Sequence, residues 1–280
     1  MIIDAHQHFW RPERGDYGWL SPDLAAIYRD FMPQDLAPLL DAHNIDGTVL
    51  VQAAPTVAET EFLLHIAERT PFVLGVVGWI DFENVSACAD ITRLSAHPKL
   101  VGLRPMIQDI ADDDWMLRPE FSAIFEAMVA HDLTFDALVL PRHLPQLRAL
   151  IARHPKLRVV IDHGAKPEIA QGLFDGWADD MAALARHTQA YCKLSGLLNE
   201  AGEGWSTADL TPYMAHLFNH FGTERLIWGS DWPVVTLAGS YETWWHIARQ
   251  FMATTSHQAK NDTDRIFGHN AVAAYGLKCP

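Results

Sequence analysis

Eight short apolar runs, each separated from the next by a longer stretch, constrain this chain more than any other feature. The runs are Met1–Ala5, Gly47–Ala53, Val73–Ile80, Leu100–Arg104, Leu133–Val139, Leu157–Asp162, Ala190–Leu194 and Arg225–Gly229. Most are continuously hydrophobic and rich in β-branched residues, the pattern of strands buried on both faces. Helical periodicity covers Pro33–His43, Val57–Arg69, Asn84–Ala96, Glu120–Ala130, Arg142–Arg153, Trp177–Arg186, Asp209–Phe221 and Tyr241–Thr255. Parallel strands need crossover connections, so strand-then-helix alternation predicts a parallel sheet. Eight such units predict closure into an α/β (β/α)8 barrel of the TIM type.

The 280 residues suit one barrel domain spanning 1–280, since such barrels commonly need about 250 residues. Two long segments, Phe9–Met32 and Gln108–Pro119, are expected as rim loops, and Thr263–Leu277 as a helical segment docked on the barrel. The net charge of −14 argues against nucleic acid or anionic lipid as partner, because both need clustered Lys and Arg. It leaves room for a small-molecule substrate, since one buried Arg outweighs a distant field. Cys88, Cys192 and Cys279 have no paired spacing and read as reduced thiols of a cytoplasmic protein. The opening Met1-Ile2-Ile3-Asp4 lacks the basic start of a signal peptide, and no apolar run reaches the ~18 residues of a membrane span. The oligomeric state stays open, a homo-oligomer included.

Functional groups of a barrel gather where its strands end. Here those ends are polar: His6-Gln7-His8 after run one, Trp79 at the end of run three, Arg104 at the end of run four, Asp162-His163 at the end of run six, Lys193 on run seven, and Ser230-Asp231-Trp232 after run eight. His6 and His8 flank Gln7, so an extended chain points both to one side. Alone, an HxH pair is weak. Joined by His163 and Asp231, it fits two devices. One is a site where His6, His8, His163 and Asp231 hold one divalent cation such as zinc. The other is metal-free, with Asp231 as general base and the imidazoles as hydrogen-bond donors. Arg104 offers a planar fork to a carbonyl or carboxylate. Trp79 and Trp232 offer apolar faces to a ring. Gln7 is a hydroxyl partner, and Lys193 is either a substrate contact or a buried partner of Asp162 or Asp231.

The segments Ile3-Asp4-Ala5-His6-Gln7-His8-Phe9-Trp10, Val160-Ile161-Asp162-His163-Gly164-Ala165-Lys166-Pro167, Lys193-Leu194-Ser195-Gly196 and Gly229-Ser230-Asp231-Trp232-Pro233 resemble the amidohydrolase-2 family. Within it they resemble the branch of sugar lactonases, and more distantly 2-pyrone-4,6-dicarboxylate lactonase. The resemblance implies hydrolysis of a lactone ester, an aldonolactone such as L-fuconolactone, with His6, His8, His163 and Asp231 in the family's catalytic positions. It implies a mononuclear metal site or none, because no lysine stands near Arg104 or Phe135 to bridge two ions. Other members decarboxylate aromatic or unsaturated acids, and that is the alternative activity. Their pattern has an acidic residue in the opening motif and a histidine on strand five, where this chain has Gln7 and Phe135-Asp136.

Overall fold

The computed structural model describes residues 1–255 and 259–278, so Cys279 lies outside it. One sheet holds eight parallel strands in sequential order: β1 Ile3–Gln7, β2 Gly47–Val51, β3 Val73–Gly78, β4 Leu100–Leu103, β5 Thr134–Ala137, β6 Val159–Ile161, β7 Tyr191–Leu194 and β8 Leu226–Trp228. Just beyond β8 the sheet closes on β1. Asp231 N donates to His6 O at 2.8 Å, and His8 N donates to Trp232 O at 2.7 Å. The (β/α)8 barrel expected from the eight runs is the fold.

Helices α1 Pro33–His43, α2 Val57–Arg69, α3 Ala87–Leu94, α4 Ser122–Ala130, α5 Leu144–Arg153, α6 Asp175–His187, α7 Leu197–Glu200, α8 Thr207–Arg225 and α9 Tyr241–Thr255 accompany the strands. Local chemistry sets several starts. The Thr56 hydroxyl accepts the Glu59 N–H at the first turn of α2. Ser206 and Asp209 begin α8 with a capping box, the Asp209 carboxylate accepting Ser206 N–H at 2.8 Å. The C-terminal segment is broken rather than one helix: α10 Ala259–Asp264, a π-turn at Arg265–His269, and α11 Asn270–Tyr275.

Apolar residues fill two layers. One lies between strands and helices and includes Leu50, Val76, Leu103, Phe135, Ile161, Leu194 and Trp228. The other contains Ile3, Ala5, Val49, Val77, Val160 and Ile227, which only the barrel interior brings together. Ala271, Ala274 and Tyr275 of α11 join that interior cluster. Thr134 at the start of β5 bonds Ala274 O, which places α11 as a plug at the N-terminal end of the barrel. The opposite end is left for chemistry. Among the described residues no helix is long and apolar enough to cross a membrane.

Candidate active site

A bulge aims the first histidine. Asp4 pairs with Thr48 but Gln7 pairs with Leu50, so β1 carries one extra residue between them. Alternation therefore breaks at His6, which faces the barrel interior as Ala5 does. Gln7 then faces the other way, and His8 returns. The Asp4 carboxylate, buried in the seam, accepts Ser230 N–H at 2.8 Å and the Tyr241 hydroxyl at 3.1 Å, fixing the loop that presents Asp231.

Four side chains converge as expected from their strand ends. Asp231 Oδ1 lies 3.3 Å from His8 Nε2, 3.7 Å from His6 Nε2 and 3.9 Å from His163 Nε2. All four residues are at most 5% exposed. His8 Nδ1 sits 2.8 Å from Val51 O. A carbonyl only accepts, so Nδ1 carries the proton and the Nε2 lone pair of a neutral His8 faces the Asp231 carboxylate. A lone pair and a carboxylate need a cation or a proton between them. His6, His163 and Asp231 each present a ligand atom within 4.8 Å of the others. Two imidazole nitrogens and a carboxylate oxygen suit a divalent cation of the zinc type.

Beneath the histidines lies a buried charge network. Lys193 Nζ is 2.6 Å from Asp136 Oδ2, 2.9 Å from Asp162 Oδ1 and 3.1 Å from His6 Nδ1. The Tyr275 hydroxyl donates to Asp136 at 2.8 Å. Arg104 donates from NH1 to Asp162 Oδ2 at 3.2 Å, lies 3.3 Å from His6 Nε2, and donates from NH2 to Gln52 Oε1 at 3.0 Å and to Gln52 O. Two cations thus balance two carboxylates. His6 Nδ1 has alternative neighbours. Asp162 Oδ1, 3.5 Å away, accepts its proton when Nε2 holds a cation, and Lys193 donates to it when Nε2 holds the proton.

This setting decides protonation. Burial and the Lys193 charge hold the His6 imidazole well below its ordinary value, against the pull of Asp162. Burial also pushes His163 down to about 4, with Asp231 opposing. For Asp231, burial alone acts upward, but the imidazole charges, His163 foremost, outweigh it and hold the carboxyl below its usual range. At neutral pH the His6 and His163 imidazoles are neutral and Asp231 is ionised.

Backbone strain accompanies the site. His163, Gly164, Ala165 and Lys166 all have positive φ, as does Asp231. Such conformations cost non-glycine residues free energy and persist where surrounding packing enforces them. Gly196 (φ +69) is required by contact: a Cβ there would stand 2.5 Å from His163 Nδ1, which bonds Ser195 Oγ at 2.9 Å.

Gln7 and Trp232, expected to touch substrate, lie behind the site, and Lys193 takes the second of its two expected roles, the buried partner of Asp162. The Gln7 amide donates to Thr48 on the other face of β1, because the bulge turns it there. Lys193 is fully buried and held by Asp136 and Asp162. Trp232 is packed edge-on against Phe31 and Phe9, with ring centroids 5.2 and 6.2 Å away, and belongs to the apolar layer. Trp79 remains half-buried at the end of β3, its backbone clasped by Thr60. Asp136 and Gln52, partners that orient Lys193 and Arg104, were missed. Asp136 was visible only as a charge within an apolar run.

Fold and site together define a (β/α)8 barrel with a polar constellation at its strand ends that could hold a divalent cation. The chain belongs to the amidohydrolase family, whose model, described as "Amidohydrolase", matches residues 3–277. It is 48% identical to L-fucono-1,5-lactonase of Burkholderia ambifaria, covering 99% of this chain and 96% of that one. It is 33% identical to L-fucono-1,5-lactonase of Burkholderia multivorans, covering 100% and 97%. A crystal structure of a Burkholderia multivorans amidohydrolase with bound zinc superposes with a TM-score of 0.91 at 33% identity, covering 99% of this chain and 100% of that one.

Proposed function

We propose that this protein opens the ester bond of a sugar lactone, with L-fucono-1,5-lactone as the leading substrate. The observation that carries this is the ionised Asp231 carboxylate ringed by the Nε2 atoms of His6, His8 and His163 at 3.3–3.9 Å. Full-length similarity to two L-fucono-1,5-lactonases supports the substrate class.

Asp231 accepts a proton from a water as that water's oxygen bonds to the lactone carbonyl carbon. Negative charge develops on the former carbonyl oxygen, beside the Arg104 guanidinium and the imidazole edges of His6 and His163. The tetrahedral centre then collapses, the bond to the ring oxygen breaks, and Asp231 returns the proton to that oxygen. The product is an open hydroxy acid. His6, His163 and Asp231 are the ligands that would hold a divalent cation, with His8 beside them. When bound, such an ion polarises the carbonyl and eases deprotonation of water. Arg104 and Lys193 carry charge from below, and Trp79 offers a ring face at the rim.

Decarboxylation is the weaker reading. The β5 position where a further histidine would help bind the metal is held by Asp136, committed to Lys193 and Tyr275. A pH-indicator screen across aldonolactones, pyrone dicarboxylates and aromatic acids tests the assignment. Acid release from an aldonolactone is expected. Carbon dioxide release from an acid, with every lactone inert, would overturn it.

A further inference from the structure

A cavity opens on the rim of the barrel that also carries the candidate site. Its volume is about 440 Å³, within the ~300–1,000 Å³ range of small-molecule sites, and Leu140, Arg142, Lys166, Glu168, Asn199 and Glu200 help line it. Its walls are the loops after β5, β6 and β7; the β6 loop also carries His163, and the β7 loop carries the Ser195-Gly196 pair that seats it. Lys166 lies three residues beyond His163, and its N–H closes a turn onto His163 O at 2.9 Å. Asn199 belongs to α7, which begins just after the Ser195-Gly196 pair that seats His163. Its Nδ2 donates to Val234 O at 3.0 Å, three residues beyond Asp231.

The polar groups here are unfinished. With Nδ2 tied to Val234, Asn199 Oδ1 is buried with no hydrogen-bond partner. A buried acceptor left without a donor is costly, so such an atom points to a missing ligand or water. Lys166 Nζ and Glu200 Oε1 face each other at 3.6 Å across the cavity wall, each side chain about a quarter exposed. That distance is too long for a strong ion-paired hydrogen bond. Lys166 is also the last of the four left-handed residues, so its side chain leaves the loop in a direction an ordinary turn does not provide. Burial raises the Glu200 carboxyl above its usual range; Lys166 opposes this, and the Asp231 charge adds to it, which places Glu200 within electrostatic reach of the catalytic base.

We propose that Lys166, Asn199 and Glu200 form a hydroxyl-recognition wall that selects a polyhydroxylated lactone over an unsubstituted one. The inference rests on the lactonase reading above and deepens it. Each sugar hydroxyl both donates and accepts. Asn199 Oδ1 and the Glu200 carboxylate take hydroxyl hydrogens, and the Lys166 ammonium gives one to a neighbouring hydroxyl oxygen. A lactone without hydroxyls leaves all three unmatched, and sites built for hydroxyl hydrogen bonds reject analogues that lack them.

The test compares kcat/KM for a trihydroxylated δ-lactone with that for δ-valerolactone in wild type, Asn199→Leu, Glu200→Gln and Lys166→Met. Each substitution is expected to lower the ratio of the two kcat/KM values by about tenfold, the size of one lost polar contact, with most of the change in KM for the hydroxylated substrate. The three variants lie on two different loops, and a thermal melt of each confirms that it is folded. An unchanged ratio in the folded variants overturns the inference and leaves the lactonase reading intact. A wild type that opens neither lactone overturns both.

Discussion

Lys193→Met removes the one ammonium that two buried carboxylates share. Lys193 Nζ stands 2.6 Å from Asp136 and 2.9 Å from Asp162, and all three side chains are fully buried. The substitution keeps much of the apolar stem and leaves the pocket with two carboxylates against the single Arg104 charge. Breaking a buried pair by removing one partner costs about 3–5 kcal/mol, because the surviving charge stays desolvated. Against the roughly 5–15 kcal/mol of a typical domain, that is about a fifth or more of the total. For a chain above about 150 residues, each kcal/mol moves Tm by about 2–4 °C, so a fall of about 10 °C is expected. Denaturant unfolding should show a lower midpoint with an unchanged slope. Asp136→Asn should restore part of the loss in the Lys193→Met background, with a coupling of about 0.5–3 kcal/mol. A single variant within about 1 kcal/mol of wild type, or a cycle with no coupling, would refute the view that this network is a balanced buried charge cluster.

Other outcomes follow from the same geometry. Folding holds His163 near 4, below the ordinary imidazole, so between about 6.5 and 4 the unfolded chain binds the proton and the folded one does not. Stability of EDTA-treated protein should therefore fall by about 2.4 kcal/mol as pH drops from 7 to 4.5 and level off only below about pH 3.5; denaturant midpoints insensitive to that change would contradict it. Gly196→Ala places a Cβ 2.5 Å from His163 Nδ1, so kcat should fall at least about tenfold, a loss of the size expected when a reacting group is misplaced. Wild-type kcat in that variant would mean that His163 orientation is immaterial. Zinc at a hundredfold its Kd should stabilise EDTA-treated wild type by about 2.7 kcal/mol and His163→Ala by far less; equal effects would place the ion elsewhere.

Much of this was legible in the residues. Continuous apolar runs such as Val159–Ile161 and Leu226–Trp228, alternating with helical stretches, read as strands buried on both faces, and eight of them order a barrel. His6, His8, His163 and Asp231 stand at strand ends, which a barrel brings to one rim whatever the loops do. What stayed hidden depends on contacts distant in sequence or on single-residue geometry. The bulge before Gln7 reverses that side chain, and no local signal distinguishes it from a regular strand. Trp232 follows Asp231 and invites a role at the substrate, but Phe9 and Phe31 claim its ring. Asp136 finds Lys193 across the barrel interior and Tyr275 from α11, 139 residues away in sequence. The four-residue helix carrying Asn199 is too short for a periodicity to reveal.

The central claim is that Asp231 activates water to attack a lactone carbonyl. Turnover of L-fucono-1,5-lactone in H₂¹⁸O, followed by mass spectrometry of the hydroxy acid, tests it most directly. One ¹⁸O in the carboxylate and none in the new hydroxyl is expected. Asp231→Asn, folded as wild type, should lower the rate of that incorporation by about 10²–10⁴-fold. Label in the hydroxyl carbon–oxygen bond, or incorporation by Asp231→Asn at the wild-type rate, would contradict the account.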